Sequence, residues 1–264
     1  MLEHSTALVT GASSGIGEAC AHALARAGAR LVIAARRRER LEALAAELPT
    51  DTHTLELDVR DRDAVVTALG SLPAEFAEID LLVNNAGLAA GLEPLHEGDP
   101  DDWDRMLDTN VRGLLAVTRA VVPGMVARGR GHVINIGSIA GHETYPGGTV
   151  YCATKAAVDR ITRGLRMDLY GTGVKVTTVD PGMTETEFSL VRFHGDAERA
   201  EQVYEGKDPL TAEDIADAVA WAATRPDNVQ VAEMVLLAGA QVSATRVAPR
   251  PSRADEGQAG ERQR

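Results

Sequence analysis

The chain has 264 residues, of which 44% are apolar, so it is long enough to fold around a sizeable hydrophobic core. Its formal net charge of -12 disfavours a general attraction to nucleic acid or to anionic membranes. The composition therefore predicts a globular protein whose partner is a small molecule rather than nucleic acid or a membrane.

Seven short β-rich runs alternate with longer helical patterns along the chain. In chain order they are ALVTG, ARLVIAA, THTLELD, DLLVNNAG, GHVINIGS, VKVTTVDPG and EMVLLAG. Most are continuously apolar, which indicates strands buried on both faces, and the helical segments between them supply crossovers. The pattern predicts a doubly wound α/β domain with a seven-stranded parallel sheet and helices on both faces.

A glycine-rich corner follows the first predicted strand. In VTGASSGIG, Gly11, Gly15 and Gly17 precede an Ala-rich helix. Glycines allow close backbone approach, and the free N–H groups and dipole at a helix start favour a pyrophosphate. The spacing G-x-x-x-G-x-G differs from the commoner dinucleotide fingerprint, so an ordinary tight turn remains the alternative.

Three consecutive arginines follow the second predicted strand, at the start of a helix where the macrodipole disfavours cations. Ala35 stands where an NAD-binding protein usually carries a carboxylate, and Arg36 and Arg37 follow it. An anion such as the 2′-phosphate of NADP compensates for this charge. The alternative is a solvated face in which Glu39 and Glu42 pair with the arginines.

Tyr151 and Lys155 lie four residues apart in GGTVYCATKAA, a spacing that places both on one side of a helix. An ammonium beside the phenol is expected to lower its pKa and make Tyr151 a general acid or base. Ser138 ends an earlier strand, at the edge where open sheets bind ligands. A snorkelling lysine beside a structural tyrosine is the alternative.

Together these segments resemble the short-chain dehydrogenase/reductase family. TGASSGIG, LDV, NNAG, DTN, GS, YCATK and PGMTET occur in the family's order and spacing, from residue 5 to about residue 240. The resemblance implies a Rossmann fold and hydride transfer between a nicotinamide, here NADP, and a secondary alcohol or carbonyl. It also implies a homotetramer.

The resemblance assigns roles residue by residue. Ser138 and Tyr151 bind the reacting oxygen, Lys155 holds the nicotinamide ribose and supports Tyr151, and Asn110 holds a water that links Lys155 to solvent. The catalytic set is thus Asn110, Ser138, Tyr151 and Lys155. The implied cofactor contacts, besides Tyr151 and Lys155, are Gly11, Ser13, Ser14, Gly15, Ile16, Gly17, Arg36, Arg37, Asp58, Val59, Asn84, Asn85, Ala86, Gly87, Pro181, Gly182, Thr184 and Thr186.

Longer segments, among them SLPAEFAEIDLLVNNAGLAAGLEPLHEGDPDDW, resemble the NADP-dependent 3-hydroxy acid dehydrogenases, which act on compounds such as serine and allo-threonine. Such a substrate needs a cation for its carboxylate, and Arg192 is the candidate. A surface arginine that pairs with Asp196 is the alternative. Glu185 lies in a loop one residue shorter than the branch's usual form, and its charge opposes an acid if it faces inward.

Two other functions stay open at this stage. One keeps the chemistry but reduces an uncharged aldehyde or ketone in specialised metabolism. The other is a sensor that binds NADP without turnover, although a sensor has no physical need for the full set of Asn110, Ser138, Tyr151 and Lys155.

The sequence predicts one domain over residues 1–246 and a disordered polar tail over residues 247–264, which is rich in Pro, Gly and charge. The N-terminus lacks the pattern of a secretory signal, so we expect a cytoplasmic protein. Cys20 and Cys152 show no C-x-x-C spacing, and the seven histidines show no zinc-ligand spacing, so no metal is expected.

Overall fold

Seven parallel strands form one sheet in the computed structural model, which describes residues 2–249. The strands are β1 (Thr6–Thr10), β2 (Arg30–Ala35), β3 (Thr52–Glu56), β4 (Leu81–Asn84), β5 (Gly131–Ile136), β6 (Val174–Pro181) and β7 (Glu233–Leu236). Their spatial order is β3-β2-β1-β4-β5-β6-β7, and each neighbouring pair is parallel. The seven predicted strands and the Rossmann-type order are confirmed.

Helices connect the strands. Within the described residues they are α1 (Gly15–Arg26), α2 (Arg38–Glu47), α3 (Arg62–Gly70), α4 (Pro100–Leu107), α5 (Leu114–Arg128), α6 (Thr149–Asp168), α7 (Phe188–Arg192), α8 (Ala197–Gln202) and α9 (Ala212–Ala223). A π-helical turn, Asp108–Gly113, joins α4 to α5, and a short 3-10 turn, Ile139–Gly141, follows β5. None of these helices is both long and apolar enough to cross a membrane.

Both faces of the sheet are covered, as the continuously apolar strands predict. In β1, Val9 belongs to a core shared with Leu24 of α1 and Ile215 of α9. Its neighbour Leu8 points to the opposite face and belongs to a core shared with Met125 of α5. All five side chains are fully buried. They divide between two cores because successive residues of a strand alternate between the faces of the sheet.

The direction of chain winding reverses at β1, which pairs with β2 on one side and β4 on the other. The loops that follow β1 and β4 therefore run in opposite directions and open a crevice at the carboxyl edge of the sheet. Ligands bind at this place in open α/β sheets. The Thr10 hydroxyl accepts hydrogen bonds from the backbone N–H groups of Asn85 (3.0 Å) and Ala86 (3.1 Å), which ties the ends of β1 and β4 together.

The predicted polar tail begins at Val247. Val247 forms an antiparallel bridge with Gln241, and the N–H of Ala248 donates to the carbonyl of Ala240 at 2.9 Å. The start of the predicted tail is thus held by the segment before it. Residues 250–264, which carry the rest of that prediction, lie outside the described residues.

Candidate active site

A cleft of about 690 Å³ opens at the carboxyl edge of the sheet. Most residues predicted to bind cofactor or substrate line it: Gly11, Ser13, Ser14, Gly15, Ile16, Arg36, Arg37, Asp58, Val59, Asn85, Ala86, Gly87, Ser138, Tyr151, Lys155, Pro181, Gly182, Thr184, Thr186 and Arg192. Gly17, Asn84 and Asn110 are not part of the lining. Glu185 is exposed and lies outside it, so its charge does not face the cleft.

The glycine turn brings backbone N–H groups to the cleft. Gly11 has a φ of 67°, which L side chains rarely adopt. A Cβ at Gly17 would overlap the carbonyl oxygen of Gly11, so only glycine lets the start of α1 pack against the end of β1. Ser14, the N-cap of α1, makes no side-chain cap hydrogen bond, which leaves the first N–H groups of α1 available to an anion.

The two arginines after β2 reach the same end of the cleft. Arg37 donates from its Nη2 to the Ser14 hydroxyl at 2.7 Å and from its Nη1 to the Glu187 carboxylate at 3.0 Å. Glu187 also accepts from Arg40 at 2.7 Å. Arg36 is exposed and makes no side-chain hydrogen bond within residues 2–249. This cationic edge beside the glycine turn fits a dinucleotide with an additional phosphate.

The cleft is also lined by Asp58 and Val59, which follow β3. The Arg60 guanidinium hydrogen-bonds the carboxylate of Asp58 at 2.6 Å and holds the pKa of Asp58 below its usual range. At the floor, the Asn85 side chain donates to the Thr10 carbonyl at 2.9 Å. This contact fixes the backbone from Asn85 to Gly87 along the cleft.

Asn84 has a different place from the one expected for it. Its amide donates to Thr118 and to Asn135, both at 2.9 Å, and only 4% of the residue is exposed. The side chain therefore ties β4 to β5 and α5 inside the core, and its position does not support a direct contact with a ligand in the cleft.

The predicted catalytic side chains come together from three elements. Ser138 follows β5, and its hydroxyl accepts from the N–H of Ala140 at 3.1 Å. Tyr151 and Lys155 lie on α6, 9% and 7% exposed. Asn110 lies behind them in the π-helical turn, where its amide donates to the Leu88 carbonyl at 2.8 Å. A Cβ added at Gly87 would be 3.3 Å from the Asn110 oxygen and 3.7 Å from the Lys155 ammonium, so both groups lie close together beside Gly87.

The electrostatics of Tyr151 differ from the expectation. Burial raises the pKa of Tyr151 above its usual value of 10, while the Arg192 guanidinium and the Ser138 hydroxyl act in the opposite direction. The Lys155 ammonium is 6.0 Å from the centre of the Tyr151 ring and donates to the Ile136 carbonyl at 2.9 Å. In this arrangement burial dominates the pKa of Tyr151, and Arg192 is the cation that lowers it. The role of Lys155 in acidifying the phenol stays a prediction.

Burial lowers the pKa of the Lys155 ammonium from 10.5 to about 8, and the charge of Asp180 opposes this change. Asp180 is buried and lies 3.0 Å from His142, which is also 3.8 Å from Glu233. His142, Asp180 and Glu233 thus form a cluster of three side chains that could hold a metal ion. The spacing of the histidines in the sequence does not reveal this cluster, because its three residues come from separate segments. Both carboxylates already have protein partners, because Arg163 binds Glu233 at 2.7 Å.

Arg192 ends α7 and reaches over the cleft. Its Cζ is 5.3 Å from the centre of the Tyr151 ring and 4.9 Å from that of Phe188. The alternative pairing with Asp196 does not occur, since the Asp196 carboxylate caps the N–H of Arg199 at 3.1 Å. Within residues 2–249 no carboxylate lies within salt-bridge distance of Arg192.

Sequence reasoning missed two residues of the cleft, Tyr145 and Glu187. Tyr145 accepts a hydrogen bond from Arg192, and Glu187 binds Arg37. No motif marks either residue. The charge of the arginine triplet was a signal for an acidic partner, but the partner lies 150 positions away from Arg37 in the sequence.

The topology, the glycine turn and the set of Ser138, Tyr151 and Lys155 in one cleft define a dinucleotide-binding α/β domain equipped for proton transfer. Residues 5–195 match the family model described as short chain dehydrogenase. The chain belongs to this family. The match covers the glycine turn, the predicted catalytic side chains and α7.

Several relatives of the chain are named as dehydrogenases. The chain is 52% identical over 225 residues to the NADP-dependent 3-hydroxy acid dehydrogenase of Salmonella typhi, which covers 85% of this chain and 91% of the relative. It is 45% identical over 232 residues to the serine 3-dehydrogenase of Agrobacterium fabrum, which covers 88% of this chain and 93% of the relative.

Solved structures agree with this kinship. The closed form of serine dehydrogenase complexed with NADP+ superposes with a TM-score of 0.89 at 46% identity, over 93% of this chain and 100% of that one. The serine dehydrogenase of Escherichia coli has a TM-score of 0.79 at 43% identity, over 90% of this chain and 99% of that one.

Proposed function

We propose that this protein is an NADP-dependent oxidoreductase that interconverts the hydroxyl and carbonyl forms of a small 3-hydroxy acid such as serine, allo-threonine or 3-hydroxypropionate-like compounds. The observation that carries the proposal is the guanidinium of Arg192, which lies above the Tyr151 ring without a carboxylate partner in the described chain. The names of the relatives, which include 3-hydroxy acid and serine dehydrogenases, support it.

The cofactor site fits NADP. The N–H groups at the start of α1 would hold the pyrophosphate of NADP, and Arg36 and Arg37 would hold its 2′-phosphate. The remaining cofactor contacts are the predicted residues that line the cleft. The relative solved with NADP+ supports this choice of cofactor. NADP, when bound, supplies or accepts the hydride.

The chain itself moves one proton and positions the substrate. In the direction of reduction, Tyr151 donates its phenolic proton to the oxygen of the carbonyl while Ser138 donates a hydrogen bond to the same oxygen. In the direction of oxidation, the phenolate of Tyr151 removes the hydroxyl proton. Lys155 holds the nicotinamide ribose, and Asn110 links Lys155 to solvent through a water.

Oxidation should accelerate as the pH rises, because the phenolate is the form of Tyr151 that accepts a proton. Burial raises the pKa of Tyr151 above its usual value of 10, so the increase with pH should continue into the alkaline range. The Lys155 ammonium, 6.0 Å from the centre of the Tyr151 ring, is a second positive charge on the side of the phenol, and positive charges nearby favour the phenolate.

The carboxylate of the substrate binds Arg192. A guanidinium presents a planar fork of N–H groups that matches a carboxylate, and hydrogen bonds between charged groups are the stronger ones. The Cζ of Arg192 lies 5.3 Å from the centre of the Tyr151 ring. A short hydroxy acid can therefore contact both residues at once.

The test compares acids with uncharged substrates in the presence of NADP or NADPH. The wild-type protein should oxidise serine or 3-hydroxyisobutyrate and should prefer either to the corresponding methyl ester. Arg192→Leu should raise the KM for the acid by roughly 10- to 100-fold, the value of a charged hydrogen-bonded pair, and should spare the ester. Arg26→Leu, a change at an exposed arginine at the end of α1, is the matched control.

Two outcomes would overturn the assignment. Equal turnover of acids and neutral aldehydes or ketones would favour a reductase of uncharged carbonyl compounds. Tight NADP binding without turnover over a broad panel of alcohols would favour a sensor. The homotetramer and the cytoplasmic location stay predictions from the sequence.

A further inference from the structure

We propose that Tyr145 is a positioning residue that aims Arg192 at the carboxylate of the substrate and thereby sets the preference for small acids. This inference rests on the proposed function, because it assumes that Arg192 binds a carboxylate. It adds a residue that neither sequence motifs nor family resemblance identifies. The substrates concerned are short alcohols with a free carboxylate.

The polar contacts of Arg192 leave most of its N–H groups free for a ligand. Nη2 donates to the Tyr145 hydroxyl at 2.8 Å. Nε is buried and has no hydrogen-bond partner within the part of the chain that is described. A buried N–H group without a partner is costly, and within the described residues Nη1 makes no hydrogen bond either, so a carboxylate that binds this guanidinium displaces no protein acceptor from it.

Three aromatic rings surround the same guanidinium. Its Cζ lies 4.9 Å from the ring centre of Phe188, 5.3 Å from that of Tyr151 and 5.9 Å from that of Tyr145. Aromatic rings stabilise a cation that lies over their faces, but they accept no strong hydrogen bond from the N–H groups in the plane of the guanidinium. The hydroxyl of Tyr145 is therefore the polar restraint on the direction of the fork.

Tyr145 is itself held in place. Its carbonyl accepts from the N–H of Gly148 at 3.1 Å, and a Cβ at Gly148 would overlap its ring. Gly148 is the N-cap of α6, the helix that carries Tyr151, so the aromatic ring of Tyr145 rests directly on the start of the catalytic helix. This contact fixes the distance between the fork of Arg192 and the phenol of Tyr151.

The loop that carries Tyr145 also carries Ser138. Both residues lie between β5 and α6, so the group that orients the reacting oxygen and the group that orients Arg192 belong to one segment. Burial raises the pKa of Tyr145, so its phenol stays neutral and accepts from the guanidinium. Loss of this hydroxyl would leave Arg192 charged and enclosed by the rings, but free to rotate away.

The experiment uses Tyr145→Phe, which removes one hydroxyl and keeps the ring. Tyr170→Phe is the matched control, since Tyr170 is 91% exposed and lies outside the cleft. Initial rates are measured with NADP and 3-hydroxyisobutyrate, and again with its methyl ester. Tyr145→Phe should raise the KM for the acid about tenfold, equal to about 1.4 kcal/mol, with kcat within about twofold.

The ester distinguishes a positioning role from a structural one. Under the proposal, kcat/KM for the ester stays within about twofold of wild type, which also shows that the variant folds. Equal losses for acid and ester would overturn the proposal, as would an unchanged KM for the acid. An acid preference that depends on Arg192 but not on Tyr145 would overturn this inference alone. Wild-type indifference between acid and ester would overturn the proposed function.

Discussion

Replacing Lys155 by methionine is expected to stabilise the fold while it abolishes turnover. Lys155 is 7% exposed, and its ammonium has one hydrogen bond, to the Ile136 carbonyl. Methionine has a similar length and no charge. The protein therefore keeps the packing of α6 and loses the cost of a buried cation.

The magnitude follows from the pKa of Lys155, which burial lowers from 10.5 to about 8. A change of one pKa unit corresponds to about 1.4 kcal/mol, so the buried charge costs about 3 kcal/mol at pH 7. Loss of the hydrogen bond to the Ile136 carbonyl reduces this gain in stability by about 1 kcal/mol. The variant should be more stable by about 2 kcal/mol, which raises Tm by roughly 4–8 °C for a domain of this size.

The dependence on pH separates this explanation from a general packing effect. Between pH 8 and 10.5 the unfolded chain still holds the lysine proton while the folded chain has released it, so wild-type stability rises with pH in this window. Methionine has no such proton. The stability difference between variant and wild type should therefore shrink by about 2 kcal/mol from pH 7 to pH 10.

Urea unfolding of both proteins at pH 7 and pH 10, followed by circular dichroism, measures the difference. Turnover with NADP and serine is measured in parallel and should be lost in the variant. A variant that is less stable than wild type at pH 7 would refute the reasoning. A stability gap of constant size from pH 7 to pH 10 would show that burial of charge is not its source.

Three further predictions concern the cofactor and the proton. Tyr151→Phe should lower kcat by about 10²- to 10⁴-fold and keep NADPH affinity, measured by fluorescence titration; near wild-type kcat would remove the proton-transfer role. Gly17→Ala should weaken NADPH binding by at least tenfold in the same titration, because the added Cβ overlaps the carbonyl of Gly11; unchanged affinity would contradict this. Glu187→Gln should tighten NADPH binding about two- to fivefold, since the half-exposed pair with Arg37 no longer competes for the phosphate; weaker binding would argue against such competition.

Most of the fold could be predicted from the sequence. Nearly continuously apolar strands such as β2 and β4 have to be covered on both faces, and helical segments of sufficient length lie between the strands, so the sequence predicts a parallel sheet covered by helices. The turn of VTGASSGIG was predictable for the same kind of reason, because the glycines are needed where the backbone of Gly17 approaches that of Gly11.

Contacts between distant segments were not predictable. Glu187 meets Arg37 only because the loop after β6 folds back over α2, and the expectation that Glu39 or Glu42 pairs with the triplet holds only for Arg38 with Glu42. Asn84 was expected in the cleft as part of NNAG, yet its amide ties strands together inside the core. In both cases the partner is chosen by the packing of elements far apart in the chain.

The sequence by itself determined the class of fold, the helix that carries Tyr151 and Lys155, and the side chains available for chemistry, since these depend on local periodicity and residue type. Tertiary structure decided the electrostatics. Burial raises the pKa of Tyr151 and lowers that of Lys155. The cation that lowers the pKa of the phenol is Arg192, which comes from α7. The physical reason is that the solvation of a charge and its distance to other charges are properties of the packed molecule, which spacing along the chain does not contain.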